Sequence, residues 1–429
     1  MEITEKPEKV LVTGISMHKD DFNYTMHELA ELARGNGMEV VGEVRQNIEK
    51  PYLGTYFGHG KIREIKALAA EKDATTIIVN NELTPSQINN LEKLLGTHIM
   101  DRTELILQIF AMRAHTKQAK TQVEIAQLQY QLPRLHPSAN TLDQQRGGTG
   151  GVSNRGTGET QLELDRRVIK KRISHLRQVI KETEKEQQIQ KAQRKRHALP
   201  TVALVGYTNA GKSTTMNGLL RLFNQEGDHK QVFEKNMLFA TLDTSVREIT
   251  LPSHRHFLLS DTVGFVSNLP HNLVESFKAT LAEAAEADLL IQVVDYADPN
   301  YPDMMATTAK TLEEIGITQR PMIIGFNKAD LKPNTPYPEI NGDELIYSAR
   351  DEQSLKVLAQ MIERKLFTDY HKVTFMIPFT DGQIVSRLES NNHIISKEYT
   401  NEGTKLTVEV KEATAARLQK YVVTDENNN

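Results

Sequence analysis

The chain has 429 residues, which favours about three domains because a single hydrophobic core stops growing well below this length. It contains no cysteine, which excludes disulfides and thiolate metal sites. No run reaches the ~18 uninterrupted apolar residues of a membrane-spanning helix, and the N-terminus lacks the basic and apolar regions of a secretory signal. We therefore expect no membrane anchor and a cytoplasmic location.

The net charge of −4 is distributed unevenly along the chain. Residues 102–200 hold 19 Lys and Arg against 9 Asp and Glu, a net charge of +10, whereas the segments on either side are acidic. A basic region between acidic flanks indicates a surface that meets a polyanion. A solvated helical face is the alternative interpretation.

The first hundred residues alternate between strand-like and helical patterns. The predicted strands are 10–14, 40–44 and 76–80, and the predicted helices are 25–34 and 85–95. This order predicts a small α/β domain, residues 1–101, with a largely parallel sheet.

Residues 102–198 are predicted to form a long helical hairpin. One helix runs from Arg102 without Gly or Pro until Pro133 ends it, and a second, highly charged helix runs from about Glu163 to Lys195. The connecting loop, residues 145–158, holds six glycines, so it buries almost nothing and exposes backbone N–H groups beside two arginines. We interpret the loop as a finger that enters a phosphate-rich partner, with a flexible linker as the alternative. The residues predicted to contact RNA are Arg146, Gly147, Gly148, Gly150, Arg155, Gly156, Arg166, Arg167, Lys171 and Arg172.

Residues 199–368 show a second alternation of strands and helices. The predicted strands are 201–205, 256–260, 289–294 and 322–326, an order that is typical of a doubly wound, mostly parallel sheet. Residues 369–429 form a small C-terminal α/β domain in this prediction. Its strands are 374–379, 393–399 and 405–410, and its helix lies near 383–390.

A phosphate-binding motif follows the first strand of this second alternation. The segment Gly206-Tyr207-Thr208-Asn209-Ala210-Gly211-Lys212-Ser213-Thr214 fits G-x-x-x-x-G-K-[ST] between a strand and a helix. The glycines let successive backbone N–H groups point at phosphate oxygens, and the helix N-terminus adds its positive end. Lys212 is predicted to neutralise the β- and γ-phosphates, and Ser213 to bind Mg²⁺.

Three further motifs follow in order, each near the end of an apolar run. Asp261-Thr262-Val263-Gly264 places a carboxylate for a magnesium water and a Gly264 N–H for the γ-phosphate. In Asn327-Lys328-Ala329-Asp330, Asp330 can accept the hydrogens of guanine N1 and of the exocyclic amine, a pattern that adenine does not match. Ser348-Ala349 is predicted to place a backbone N–H at the guanine O6 atom. The sequence therefore predicts a GTP- and GDP-binding enzyme that hydrolyses GTP.

These motifs resemble the translation-factor-related branch of P-loop GTPases, and the rest of the chain is similar to the HflX family. The family-specific stretches are Phe57-Gly58-His59-Gly60-Lys61, Asp101-Arg102-Thr103-Glu104-Leu105-Ile106-Leu107, Tyr130-Gln131-Leu132-Pro133-Arg134-Leu135, Gly156-Thr157-Gly158-Glu159-Thr160-Gln161-Leu162-Glu163 and Phe239-Ala240-Thr241-Leu242-Asp243. The resemblance implies a factor that binds the large ribosomal subunit and helps to split stalled or idle ribosomes, notably under stress. It also implies that Thr241 contacts Mg²⁺ and the γ-phosphate, and that the glycine-rich loop reaches rRNA near the peptidyl-transferase centre. ATP binding by the N-terminal domain is a further implication, although Gly58-His59-Gly60-Lys61 lacks the spacing of a phosphate loop.

Two positions bear on hydrolysis. Phe265 stands where many small GTPases have the glutamine that orients the attacking water, so we expect slow hydrolysis that a bound partner completes, unless another polar residue substitutes. Asn209 is a candidate for holding K⁺ beside the phosphates, with a structural role in the loop as the alternative. A GTPase switch acting on another RNA or protein, and an RNA-binding protein with a relic G domain, are the competing functions. The lack of a heptad seam favours a monomer.

Overall fold

The protein is seen as a computed structural model, which describes residues 7–17, 22–135, 161–196, 199–223, 245–266, 284–317 and 320–423. The chain divides into two compact units, one made mainly of residues up to Gln193 and the other mainly of those after it. None of the described helices combines the length and the apolar character that crossing a bilayer requires.

The first unit is built on a four-stranded sheet in the order β2-β1-β3-β4, in which each pair of neighbours is parallel. Its strands are β1 (Lys9–Ile15), β2 (Glu39–Gln46), β3 (Thr76–Val79) and β4 (His98–Asp101), and its helices are α1 (Phe22–Gly35), α2 (His59–Glu71) and α3 (Pro85–Leu95). β1 and β3 are almost wholly buried because a parallel sheet is covered on both faces. The predicted α/β sheet is confirmed, and α2 and β4 add to the predicted elements.

The prediction of one helix from Arg102 to Pro133 is wrong, because the chain forms two helices there. They are α4 (Arg102–Arg113) and α5 (Lys117–Gln131), and a short 3-10 turn at Leu132–Arg134 follows. Ala114 is extended, and the Thr116 side chain then accepts the Ala119 N–H, which caps a new helix. A threonine in an N-cap position thus breaks a helical pattern that contains no glycine or proline.

α6 (Gln161–Arg196) packs against α5, as the predicted hairpin requires. Ile125 of α5 forms a small buried cluster with Ile173 and Leu176 of α6, and Arg172 donates to Glu124 at 2.8 Å. The glycine-rich loop between these helices lies outside the described residues.

The second unit holds a seven-stranded sheet in the order β10-β11-β9-β8-β5-β7-β6. Its strands are β5 (Thr201–Val205), β6 (Ser245–Thr250), β7 (His256–Asp261), β8 (Leu289–Asp295), β9 (Met322–Asn327), β10 (Glu339–Asn341) and β11 (Glu344–Ile346), and its helices are α7 (Lys212–Phe223), α8 (Tyr301–Glu314) and α9 (Glu352–Leu366). The five inner strands run parallel and the two edge strands antiparallel, which confirms the predicted mostly parallel sheet.

A three-stranded antiparallel sheet follows in the same unit, in the order β12-β14-β13. Its elements are β12 (Tyr370–Ile377), α10 (Gly382–Asn391), β13 (His393–Tyr399), β14 (Thr404–Lys411) and α11 (Glu412–Arg417). The Arg255 side chain, at the β6–β7 turn, lies 3.1 Å from Glu363 and 2.8 Å from Glu409 and so joins this sheet to the larger one. The predicted strands and helix of this region are confirmed.

Candidate functional site

The loop between β5 and α7 has a backbone shape that two glycines make possible. Gly206 has φ 143° and Gly211 has φ 96°, values that L side chains rarely adopt. A Cβ on Gly206 would lie 2.2 Å from the Val293 carbonyl oxygen, and one on Gly211 would lie 2.2 Å from Asn327 Nδ2. Neither position can carry a side chain without displacing its neighbours, so the sequence motif corresponds to a tight loop at the helix N-terminus.

Lys212 is folded back across this loop. Its Nζ donates to the carbonyl oxygens of Gly206 at 3.0 Å and Tyr207 at 2.8 Å, and the residue is almost completely buried. Burial lowers the pKa of Lys212 to about 8, and the nearby Asp261 carboxylate opposes this shift. A desolvated ammonium in a loop of backbone amides is well placed to bind phosphate oxygens, whose charge would replace its lost hydration.

A hydroxyl and a carboxylate meet at the end of the loop. Ser213 Oγ donates to Asp261 Oδ2 at 2.6 Å, and Asp261 is fully buried at the end of β7. Hard oxygen ligands of this kind suit Mg²⁺, which usually takes one or two protein ligands together with phosphates and waters. The donor set therefore fits the predicted magnesium site.

The segment after β7 is fastened to the phosphate loop through its backbone. The Thr208 N–H donates to the Phe265 carbonyl at 2.8 Å, and the Phe265 N–H donates to the Gly206 carbonyl at 3.1 Å. Gly264 lies so close that a Cβ there would be 2.7 Å from Thr208 Cγ2 and 3.0 Å from Lys212 Nζ. Gly264 is thus beside the lysine, as its predicted γ-phosphate contact requires. The Phe265 ring is buried and presents no polar group.

Thr208 carries a further mark of a ligand site. Its Oγ1 is buried and has no hydrogen-bond partner among the described residues. Leaving a buried hydroxyl without a partner costs ~1–3 kcal/mol, so such groups need an explanation. A nucleotide phosphate or its water in the loop would satisfy this hydroxyl.

Asn327, which the sequence prediction assigns to nucleotide binding, also connects the phosphate loop to the segment after β11, a role that no motif indicated. Its Nδ2 donates to the Ala210 carbonyl and its Oδ1 accepts the Ala349 N–H, both at 2.8 Å. The Ala349 N–H, one of the two that the Ser348-Ala349 prediction offers to the guanine O6 atom, is therefore shared with Asn327. Ser348 is buried, and its N–H and carbonyl are engaged within its own turn.

Asp330 is exposed on a 3-10 turn, Ala329–Leu331, that follows β9. Lys328 precedes it with φ 66°, and Lys328 Nζ lies 2.6 Å from Asp295 Oδ2 at the end of β8. β9 lies two strands from β5, so Asp330 and the phosphate loop share the carboxyl edge of one sheet. This is the edge where open α/β sheets bind ligands. Asp295 ends β8 at this edge and Tyr296 follows it, and no sequence motif marked either residue.

The predicted RNA contacts and Thr241 are only partly within the described residues. Arg166, Arg167, Lys171 and Arg172 are exposed on α6, and Arg172 is paired with Glu124. Thr241 lies outside the described ranges, as do Arg146, Gly147, Gly148, Gly150, Arg155 and Gly156.

The shape of this sheet edge defines the class of protein. A phosphate loop that depends on two glycines leads into a helix. The Asn-Lys-x-Asp segment, which follows a strand two positions away in the sheet, is hydrogen-bonded to that loop through Asn327. The chain is therefore a P-loop GTPase.

Comparison with known proteins identifies the family. Family models described as GTP-binding GTPase N-terminal, GTP-binding GTPase Middle Region and 50S ribosome-binding GTPase match residues 23–111, 113–194 and 201–328. The GTPase HflX of Caldanaerobacter subterraneus subsp. tengcongensis is 39% identical over 98% of this chain and 94% of its own length. That of Alkalihalophilus pseudofirmus is 39% identical over 91% of this chain and 90% of its own length. The chain belongs to the HflX family of GTPases, and it binds guanine nucleotide and hydrolyses GTP.

A GTP-binding protein from Sulfolobus solfataricus, solved in complex with GDP, is a structural neighbour with 23% identity and a TM-score of 0.43. The match covers 83% of this chain and 98% of that one.

Proposed function

We propose that this GTPase binds the large ribosomal subunit in the cytoplasm and promotes the splitting or rescue of stalled or idle ribosomes under stress. The matched family model for residues 201–328 is described as a 50S ribosome-binding GTPase, and the HflX relatives align over nearly the whole chain. The observation that carries the proposal is the exposed basic face of α6, formed by Arg166, Arg167 and Lys171 in the segment whose net charge is +10. Such a face suits rRNA phosphates near the peptidyl-transferase centre.

The nucleotide site performs hydrolysis in this proposal through positioning and charge. Backbone N–H groups of the phosphate loop and Lys212 hold the β- and γ-phosphates. Ser213, Asp261 and Thr241 would hold Mg²⁺, which would neutralise charge on the phosphates. The Gly264 N–H meets the γ-phosphate, and Asp330 recognises the guanine base.

Hydrolysis by the isolated protein is slow in this proposal because Phe265 offers no hydrogen bond to the attacking water. The partner then completes the site. GTP turnover is measured for the protein alone and with purified large subunits, and the subunits are expected to accelerate it strongly. Equal rates with and without subunits would contradict the proposal.

Asn209 is our candidate for binding K⁺ beside the phosphates. It is exposed and has φ 61°, in the left-handed region that asparagine tolerates well, which also suits the alternative of a role in loop shape alone. Hydrolysis in K⁺ buffer is compared with hydrolysis in Na⁺ buffer at equal ionic strength. Faster turnover in K⁺ that Asn209→Ala abolishes supports the ion, and equal rates leave only the structural role.

The basic face of α6 gives a second test of ribosome binding. Reversal of Arg166, Arg167 and Lys171 to Glu is expected to weaken subunit binding and to reduce its dependence on salt, with the affinity for GTP unchanged. Reversal of Lys310 and Lys356, on helices of the second unit, is the matched control. If binding survives the first set of changes, this face is only a solvated surface.

A GTPase switch acting on another RNA or protein is the alternative function. Co-sedimentation with large subunits in a non-hydrolysable GTP analogue separates the two, because only the ribosomal proposal predicts a stable complex. Lys212→Ala tests whether nucleotide turnover is needed in cells. We further propose a monomer of four domains, residues 1–101, 102–198, 199–368 and 369–429.

A further inference from the structure

Two lysines hold the turn that carries Asp330. Lys328 lies two residues before Asp330 and contacts Asp295, which ends β8. Lys332 lies two residues after Asp330 and contacts Tyr296, which follows Asp295. Lys328 Nζ is 2.6 Å from Asp295 Oδ2, and Lys332 Nζ is 3.6 Å from the centroid of the Tyr296 ring. An ammonium this close to the face of an aromatic ring makes a cation–π contact.

The Tyr296 ring is itself held in place. The backbone N–H of Tyr296 donates to the Asn327 carbonyl at 2.8 Å, and this bond connects Tyr296 to the start of the Asn327–Asp330 motif. The ring packs at 5.6 Å from the Tyr301 ring and 5.4 Å from the Phe326 ring, and these two rings lie 5.8 Å apart. Lys332, which is half-buried, is also 5.9 Å from the Tyr301 ring. The lysine therefore rests on a packed aromatic cluster.

An exposed turn of three residues needs such support if its carboxylate is to read a base. Two hydrogen bonds that one carboxylate accepts, from the guanine N1–H and from the exocyclic amine, require fixed direction as well as distance. A turn that moves in the empty protein must be ordered when the base binds, and this ordering reduces the affinity. Lys328 restrains the chain before Asp330, and Lys332 restrains it after Asp330.

We propose that Lys332, held over Tyr296, is a positioning residue that determines how strongly the enzyme selects guanine. The inference rests on the proposed role of Asp330 as the residue that reads the base. It assigns the selectivity to the whole Asp330, Lys332 and Tyr296 arrangement rather than to the carboxylate alone.

The test measures affinities for GTP and ITP by calorimetry with Mg²⁺ on the full chain. The hypoxanthine base of ITP lacks the exocyclic amine, so the GTP-to-ITP affinity ratio reports the hydrogen bond between that amine and Asp330. Lys332→Met and Tyr296→Leu are each expected to lower the ratio by ~3- to 10-fold. Lys332→Arg and Tyr296→Phe retain the cation and the ring, and both should keep the wild-type ratio. The kcat at saturating GTP should not change, since the phosphate loop is untouched.

Two controls separate the possible failures. Lys356→Met removes an exposed lysine that pairs with Glu352 on α9, and it should leave the ratio unchanged. Asp330→Asn replaces an acceptor by a donor, and it should turn the preference from GTP towards XTP, whose base has an oxygen in place of the amine. If Asp330→Asn has no such effect, the assigned role of Asp330 fails. If it does but Lys332→Met and Tyr296→Leu keep the wild-type ratio, the Lys332 inference alone is overturned.

Discussion

Replacement of Asn327 by alanine should damage the nucleotide site by removing two hydrogen bonds that join its segments. The side chain is 2% exposed and makes two hydrogen bonds of 2.8 Å, one to the Ala210 carbonyl and one from the Ala349 N–H. Asn327→Ala would leave both backbone groups without this partner in a buried region. It would also remove the contact that holds the phosphate loop to the segment after β11.

The magnitude follows from these two bonds. A buried backbone group that loses its partner costs ~1–2 kcal/mol, so the free energy of unfolding should fall by ~2–4 kcal/mol. The loosened loop would have to be ordered again when the nucleotide binds, and this ordering costs binding free energy. The affinity for GTP should therefore fall by ~10- to 100-fold. Asn327→Asp keeps the acceptor for the Ala349 N–H but sets an oxygen against the Ala210 carbonyl. It should be at least as damaging, because it also buries a charge.

Urea denaturation measures the unfolding free energy, and calorimetry with GTP measures the affinity. Asn341→Ala changes an exposed asparagine on the edge strand β10, and it is the matched control that should change neither quantity. An Asn327→Ala protein with wild-type stability and wild-type affinity would refute the argument that this side chain joins the two segments.

Three further outcomes are expected. Gly211→Ala should abolish GTP binding in a filter assay, because the φ of Gly211 is 96° and the new Cβ would lie 2.2 Å from Asn327 Nδ2. Gly60→Ala is the control and should be tolerated, because Gly60 is exposed and a Cβ there meets nothing within 4 Å. Burial lowers the pKa of Lys212 to about 8 while bound phosphate favours the ammonium, so the affinity for GTP should fall as the pH rises above about 8. Calorimetry in buffers of different ionisation enthalpy should detect the accompanying proton uptake, which Lys212→Arg should abolish, and a pH-independent affinity would contradict this. Arg255→Met should lower the unfolding free energy by ~1–3 kcal/mol in urea, because it removes the guanidinium that contacts two partly buried carboxylates, and an unchanged midpoint would show that the contact contributes nothing.

Much of the architecture could be read from local pattern. The apolar runs at 201–205 and 322–326 form the strands β5 and β9 as their length predicts, and the predicted helix over 85–95 is α3. The break between α4 and α5 could not be read in this way. It depends on a single capping threonine in a stretch where every residue tolerates a helix.

The nucleotide site divides along a similar line. The order and spacing of the motifs predicted the phosphate loop, the candidate magnesium ligands and the turn proposed to recognise guanine, because the chemistry of each depends on residue types that are close in sequence. The roles of Asn327, Arg255 and Lys332 could be seen only in the folded structure. The hydrogen-bond partners of Asn327 and Arg255, for example, lie between 22 and 154 residues away in sequence.

The amino-acid sequence by itself determined that this chain binds guanine nucleotide, since glycines, a lysine and an aspartate at fixed spacing carry that chemistry wherever a strand leads into a helix. Only the tertiary structure decided which polar groups hold the site together. The contribution of a hydrogen bond to stability depends on which partner it has and on how far water is excluded from it. Both are properties of the folded chain.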